Sequence, residues 1–313
     1  MTKFAIDLIK ILMGSNILKT DTIFEYNRWA GVETQNPLVG FIDFSQVKPL
    51  RHARKLYGFY AVFLKDTLCG ELRYGRQYYD YQEGTLIFVA PSQAFGAEDD
   101  GEVFQPTGYV LMFHPDLLRH TPLAKSIRDY TYFSYETNEA LHLSEQERRI
   151  VMDCFNKIQY ELQYPVDQFS KSIITDNIKT FLDYCSRFYG RQFNTRDNVN
   201  KDVLVRFERL VSDYFRNGDA ERKGLLNVQY CAAQLGLSPN YLSDLVKKET
   251  GNTALGFIHS HVIDIAKTEI VATDRTMSEI AYWLGFQYPQ HFTRLFKREV
   301  GCTPNEYRCQ MLS

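Results

Sequence analysis

The sequence predicts an α+β chain of two domains, β-rich toward its N-terminus and all-helical in its last third. Three observations carry this reading. Between Tyr57 and Phe113, short runs of aromatic and β-branched residues are punctuated by glycine. From Ser144 onward, apolar residues recur at helical spacing. An Ala-x-x-Leu-Gly run followed by a basic tail occurs twice, about fifty residues apart. A chain of 313 residues, 44% hydrophobic and 24% charged, is long enough for two cores.

Residues 1 to about 55 give mixed signals, with an amphipathic helix expected over Phe4 to Leu12. Strands are expected at Tyr57–Leu64, Leu68–Tyr74, Gln77–Tyr81, Thr85–Ala90 and Tyr109–Phe113. Short strands at this spacing predict a small antiparallel β-barrel or jelly roll. Ser144-Glu145-Gln146-Glu147 is a capping box that opens a helix to about Gln163. A second helix is expected from Pro165, with Ile174, Ile178, Phe181, Leu182, Cys185, Phe188 and Tyr189 at helical spacing. These flanking helices, about 144–190, are either core cover or a dimer seam. Residues 1–192 are thus read as one domain, and polar residues 193–200 as a linker.

A jelly roll raises the possibility of a metal-dependent enzyme with a helical appendage. That chemistry needs several histidines and a carboxylate converging on one metal. His52, His114, His120 and His142 are scattered and form no His-x-His pair, so neither metal nor other cofactor is expected. His114 precedes Pro115 at a strand end, where a capping or solvent-facing role is expected. Six cysteines lack any Cys-x-x-Cys pair and read as buried free thiols. No secretory segment or run of about twenty apolar residues is present, so a cytoplasmic protein without membrane contact is expected.

The C-terminal domain, 201–313, contains the repeated unit. Ala232, Leu235 and Gly236 match Ala281, Leu284 and Gly285 at an offset of 49. One residue is inserted in the second turn. Leu242, Leu245, Lys247, Lys248, Glu249, Gly251 and Thr253 then match Phe292, Leu295, Lys297, Arg298, Glu299, Gly301 and Thr303 at an offset of 50. Each unit reads as a helix-turn-helix, the first about 228–251 and the second about 278–301. The alanine allows close helix crossing and the glycine a positive-φ turn. Ser238-Pro239 suits the start of a helix, and Thr276 with Glu279 forms a capping box.

Thr253 to Ala272 reads as one helix joining the units, roughly 30 Å long at 1.5 Å per residue. That is close to the ~34 Å between successive major-groove faces on one side of B-DNA. Net charge gives no bulk signal for nucleic acid, being −2 for the chain and about +1 from Lys201 onward. A DNA face must therefore be a local patch. A protein-binding scaffold is the competing use of such a repeat.

From about Arg206 to Gln310 the chain resembles the AraC/XylS family of bacterial transcription regulators. The resemblance is densest in Ser278-Glu279-Ile280-Ala281, Leu284-Gly285-Phe286, Phe292 and Gly301-x-Thr303-Pro304-x-x-Tyr307-Arg308. It implies two helix-turn-helices on a long helix, preceded by a cupin-like domain for effector binding and dimerisation. Tyr81-x-x-Gly84-Thr85-Leu86 and Val89-Ala90-Pro91 are similar to that sensory domain. Carried over by position, the resemblance makes Asn240, Ser243 and Asp244 base-facing in the first unit. In the second it makes Pro289, Gln290, His291, Thr293 and Arg294 base-facing. Arg, Asn and Gln suit base edges. Lys247, Lys248, Lys297 and Arg298 are assigned to phosphates. Asp244 departs from the expected basic or amide residue, and Pro289 forfeits a polar contact. The expected partners are double-stranded DNA, a second copy of the chain, a small-molecule effector, and RNA polymerase if the protein activates. The cupin-type metal-dependent enzyme is the alternative.

Overall fold

The computed structural model describes residues 17–65, 84–97, 101–136, 139–195 and 197–312. The expected helix at Phe4–Leu12 and the expected strands at Leu68–Tyr74 and Gln77–Tyr81 lie outside the described residues, as does Cys69. The chain divides into two compact units, Met1–Gln192 and Phe193–Ser313.

The first unit begins with β1 (Leu18–Thr20), α1 (Ile23–Ala30), β2 (Val39–Asp43), β3 (Leu50–Arg51), β4 (Lys55–Tyr57) and β5 (Tyr60–Lys65). It continues with β6 (Thr85–Val89), β7 (Ala94–Phe95), β8 (Val103–Phe104) and β9 (Tyr109–Phe113). Then come α2 (Pro115–Leu118), α3 (Leu123–Ser126), β10 (Leu141–His142), α4 (Glu145–Gln163) and α5 (Ser170–Thr195). An antiparallel five-stranded sheet runs in the order β10-β6-β5-β9-β2. Ala61, Val62, Phe63 and Leu64 of β5 are all buried, which explains the unbroken apolar run there. On one face Ala61, Phe63, Val110 and Met112 join Ile23 and Tyr26 of α1 in a core. Toward the other face lie α4 and α5, where Phe155 meets Phe41 of β2 at 5.6 Å and Phe181 at 5.0 Å between ring centroids.

The closed cupin-like barrel or jelly roll expected from the sequence is not what these strands form. Among the described residues the five-stranded sheet is open, with β10 and β2 at its ends. β1-β4-β7 and β3-β8 are separate small sheets. Among the described residues, helices α4 and α5 rather than further strands pack toward the second face of the large sheet. The outer strand β10 is only two residues long, a common way for an open sheet to limit its unpaired edge. The expected strand Tyr57–Leu64 is also split in two. Gly58 breaks it by lying so close to the Asp21 backbone that a Cβ there would sit 2.5 Å from the Asp21 oxygen, and by donating its N–H to the Thr20 carbonyl.

Ser144 caps α4 with the expected reciprocal box to Glu147. α5 begins at Ser170, five residues after Pro165. The Asp167 carboxylate accepts from the Phe169 and Ser170 N–H groups, so the turn it makes sets the helix start. His114 caps α2, its Nδ1 accepting from the Asp116 N–H. Cys154, Cys185 and Cys231 are buried free thiols, and burial raises the pKa of each. Cys302 is half-buried and Cys309 exposed.

The second unit is helical throughout: α6 (Asp197–Arg216), α7 (Asp219–Lys223), α8 (Val228–Leu235), α9 (Pro239–Thr250), α10 (Ala254–Ala272), α11 (Met277–Trp283), α12 (Pro289–Val300) and α13 (Pro304–Leu312). The polar stretch 193–200 is helical on both sides of residue 196. Within it Asn200 is buried and donates to the Phe193 carbonyl.

Candidate nucleic-acid interface

Two helix-turn-helices hang on α10, and both have a side-chain-capped first helix, a glycine turn at positive φ and a proline opening the second helix. In the first, Asn227 caps α8 by accepting from the Tyr230 N–H, and Gly236 ends it at φ 69°. Ser238 caps α9 through the Tyr241 N–H, and Pro239 fills its first turn. In the second, Thr276 and Glu279 close a reciprocal box on α11, and Gly285 turns the chain at φ 89°. Tyr288 precedes α12 without a side-chain cap, and Pro289 supplies its first position. Ala232 and Ala281 are fully buried at the helix crossings.

The equivalence extends to the buried faces. α9 buries Leu242, Leu245 and Val246, and α12 buries Phe292, Leu295 and Phe296 in register. What remains outward is polar. Asn240, Lys247 and Lys248 are exposed on α9, with Ser243 and Asp244 half-buried. Gln290, His291, Arg294, Lys297 and Arg298 are exposed on α12, with Pro289 and Thr293 half-buried. Each helix thus brings its sequence-assigned residues to one unburied face.

Details inside that face change individual roles. The Thr293 hydroxyl donates to the Pro289 carbonyl at 3.2 Å, leaving its acceptor lone pairs and methyl group outward. Arg298 is held by Glu299 at 2.8 Å and lies 3.4 Å from His259 Nδ1. Arg294 has no hydrogen bond or ion pair among the described residues. It lines a shallow concavity with His259, Phe286, His291, Leu295 and Arg298. Burial, and then the Arg298 charge, hold the His259 pKa below its ordinary value. A neutral His259 can accept from Arg298.

Sequence reasoning missed two residues. One is His259, whose place beside Arg298 has no local sequence signal. The other is Arg308, which was matched but given no role. Its guanidinium donates to the Ile270, Thr273 and Arg275 carbonyls at 2.8, 3.2 and 2.7 Å. It therefore closes the end of α10 and ties α13 to the base of the second helix-turn-helix.

A helix-turn-helix domain family model matches residues 231–310. The regulatory protein SoxS of Salmonella typhimurium is 34% identical over 83 residues, which are 26% of this chain and 78% of SoxS. The chain belongs to the AraC/XylS-type helix-turn-helix transcriptional regulators. The HTH-type transcriptional regulator YtdP of Bacillus subtilis is 31% identical over 117 residues, covering 37% of this chain and 15% of YtdP. Among solved structures, the C-terminal domain of AraT, a response regulator from Geobacillus stearothermophilus, is 26% identical. The match covers 34% of this chain and 84% of that one, with a TM-score of 0.31. This AraC/XylS-type chain spans 15% of YtdP and 53% and 58% of two Escherichia coli regulators. Among the described residues no group of three or more His, Cys, Asp or Glu side chains is placed to hold a metal. No described helix is long and apolar enough to cross a membrane.

Proposed function

We propose that this chain regulates transcription by reading double-stranded DNA sequence with α9 and α12. The observation that carries the reading is the duplicated unit, with matching buried positions and matching unburied polar faces. α10, the helix between them, has 19 residues and is therefore about 28 Å long. That length suits two recognition helices set in successive major-groove segments.

Asn240, Ser243, Asp244, Gln290, His291, Thr293 and Arg294 face bases in this reading. Arg294 is the strongest candidate, because it is exposed and makes no ion pair or hydrogen bond among the described residues. A bidentate contact to guanine is the natural use of such a side chain. Lys247, Lys248, Lys297 and Arg298 meet phosphates, with Arg298 first leaving Glu299 or carrying it along. The first unit, residues 1–192, is the sensory and dimerisation domain, 193–200 joins it to the reader, and 201–313 is the reader. A homodimer would double the contact, and RNA polymerase is the further partner if binding activates.

The test is binding of the full-length chain to promoter fragments at several salt concentrations. Affinity should fall steeply with salt and discriminate between sequences. Arg294→Ala should relax preference at one base pair, by about 1–3 kcal/mol. Lys297→Ala should weaken all sequences alike and flatten the salt slope by about one. Salt-independent, sequence-blind binding, or identical behaviour of the two variants, would refute these roles.

A further inference from the structure

The first unit contains a cavity of about 790 Å³, bounded by α1, β4, β7, Phe104 of β8 and the chain that follows it to Thr107. That size lies within the ordinary range for small-molecule sites. Its walls are rich in aromatic rings, with Tyr26, Trp29, Tyr57, Phe63, Phe95 and Phe104 among them. One polar group is out of place. Lys55 lines the cavity, yet the residue is only 2% exposed. Its Nζ lies 2.9 Å from the Trp29 ring centroid and 5.5 Å from that of Tyr26. Among the described residues no carboxylate or carbonyl oxygen accepts a hydrogen bond from it.

An ammonium buried with only ring faces for company has lost most of its hydration, and cation–π contact returns only part of that. Burial accordingly draws its pKa down to about 7. The rest of the lining points the same way. The other ionisable side chains facing the cavity are His52, Arg54, Lys65 and the phenols of Tyr26, Tyr57 and Tyr109. No Asp or Glu is among the described lining residues. The cavity is mostly apolar, has Lys55 as its one fully buried cation with Arg54 half-buried and Lys65 exposed, and supplies no acidic counter-charge among the described residues.

We propose that this cavity binds a small apolar monocarboxylate, whose carboxylate pairs with Lys55 and whose body lies against Trp29, Tyr57 and Phe95. The site rests on the first unit alone, and only its bearing on DNA binding depends on the regulator reading. Aliphatic and aromatic acids share the required chemistry. The absence of an acidic lining disfavours amines, and the single buried cation disfavours polyanions.

The experiment is calorimetric titration of the full-length chain with 4-phenylbutyrate and with decanoate, each beside its uncharged primary amide. At pH 6.5 at least one acid should bind about tenfold or more tighter than its amide, the scale set by one buried charge-assisted contact. Lys55→Met should abolish that difference and leave amide binding in place. Should the variant misfold, the wild-type pH profile decides. The acid must meet a protonated Lys55, so its affinity should fall about tenfold per pH unit above 7 while the amide stays level. Tyr26 and Tyr57 do not titrate in that range, because burial raises both phenols. His52 is removed as a source by His52→Gln, which should keep the profile. Equal binding of acid and amide, a level profile, or no binding by either acid would overturn the proposal. DNA affinity measured with and without the acid then separates the two readings. Binding without any change at DNA leaves the site standing and removes only its regulatory link.

Discussion

Replacing Gly285 with alanine and replacing Gly236 with alanine are equivalent changes in sequence and very different ones in structure. Both glycines turn a helix-turn-helix at positive φ, 89° and 69°. An L-residue in that region costs about 1–2 kcal/mol at either position. At Gly236 nothing lies within 4 Å of the added Cβ. At Gly285 the Cβ would sit 2.6 Å from Gly224 C and Leu225 N and 2.7 Å from the Ala220 oxygen. All three are backbone atoms of α7 or of the turn that follows it, so no side chain can swing aside. Relief requires moving α7 away from the turn by most of an ångström, an overpacking cost of about 1–3 kcal/mol beyond the strain. Reduced freedom of the unfolded chain offsets part of the loss equally in both variants. Gly285→Ala should therefore be less stable than Gly236→Ala by about 1–3 kcal/mol. Urea unfolding followed by Trp283 fluorescence reads this, in a Trp29→Phe background that leaves one tryptophan of the two. Equal midpoints, or a larger loss for Gly236→Ala, would refute the claim that α7 pins the second turn.

Arg308→Ala should cost about 1.5–3 kcal/mol by freeing three carbonyls at the end of α10, with Arg308→Lys recovering little because an ammonium lacks the planar fork; unfolding midpoints measure both. The Glu279 carboxyl is held below its ordinary pKa first by the Thr276 N–H and then by the Thr276 hydroxyl. Its contribution is present above the unfolded value of about 4.5 and is lost as pH falls through the lower folded value. Glu279→Gln should keep the cap but lessen acid sensitivity as pH falls below about 4.5, and an unchanged pH profile would argue against the assignment. Lys55 titrates in the opposite sense. Its folded pKa of about 7 lies below the ordinary 10.5, so the unfolded chain binds more protons in between. Stability should rise with pH across that window. Lys55→Met should remove this slope and stabilise the chain at pH 6.5 by about 1–4 kcal/mol, whereas destabilisation there would show that the ammonium is better solvated than its surroundings suggest.

The second unit was legible because its signals are local. Ser238-Pro239, Thr276 with Glu279, and the two turn glycines act within four residues of themselves, and the structure uses each where the pattern placed it. The central strands at Thr85–Val89 and Tyr109–Phe113 were legible as apolar runs because the sheet is covered on both faces. Closure was not legible. Whether short strands join into a barrel depends on which strands pair and on what covers the sheet, and the alternation pattern is silent on both. The break at Gly58 is set by Asp21, distant in sequence, and the start of α5 by one carboxylate that outweighed the proline signal. Lys55 carries no signal of its own in the sequence, since nothing nearby announces that Trp29 packs against it. Arg308 was matched by pattern, but its work lies more than thirty residues away on the carbonyls at the end of α10.

The two equivalent units are proposed to read one stretch of duplex from opposite ends of α10. Selection of bound sequences from a random double-stranded pool by the full-length chain tests this directly. It should enrich two short blocks with centres about 10–10.5 base pairs apart, and Arg294→Ala should erase preference at one position of one block only. A single enriched block, two blocks without fixed spacing, or no enrichment would contradict it.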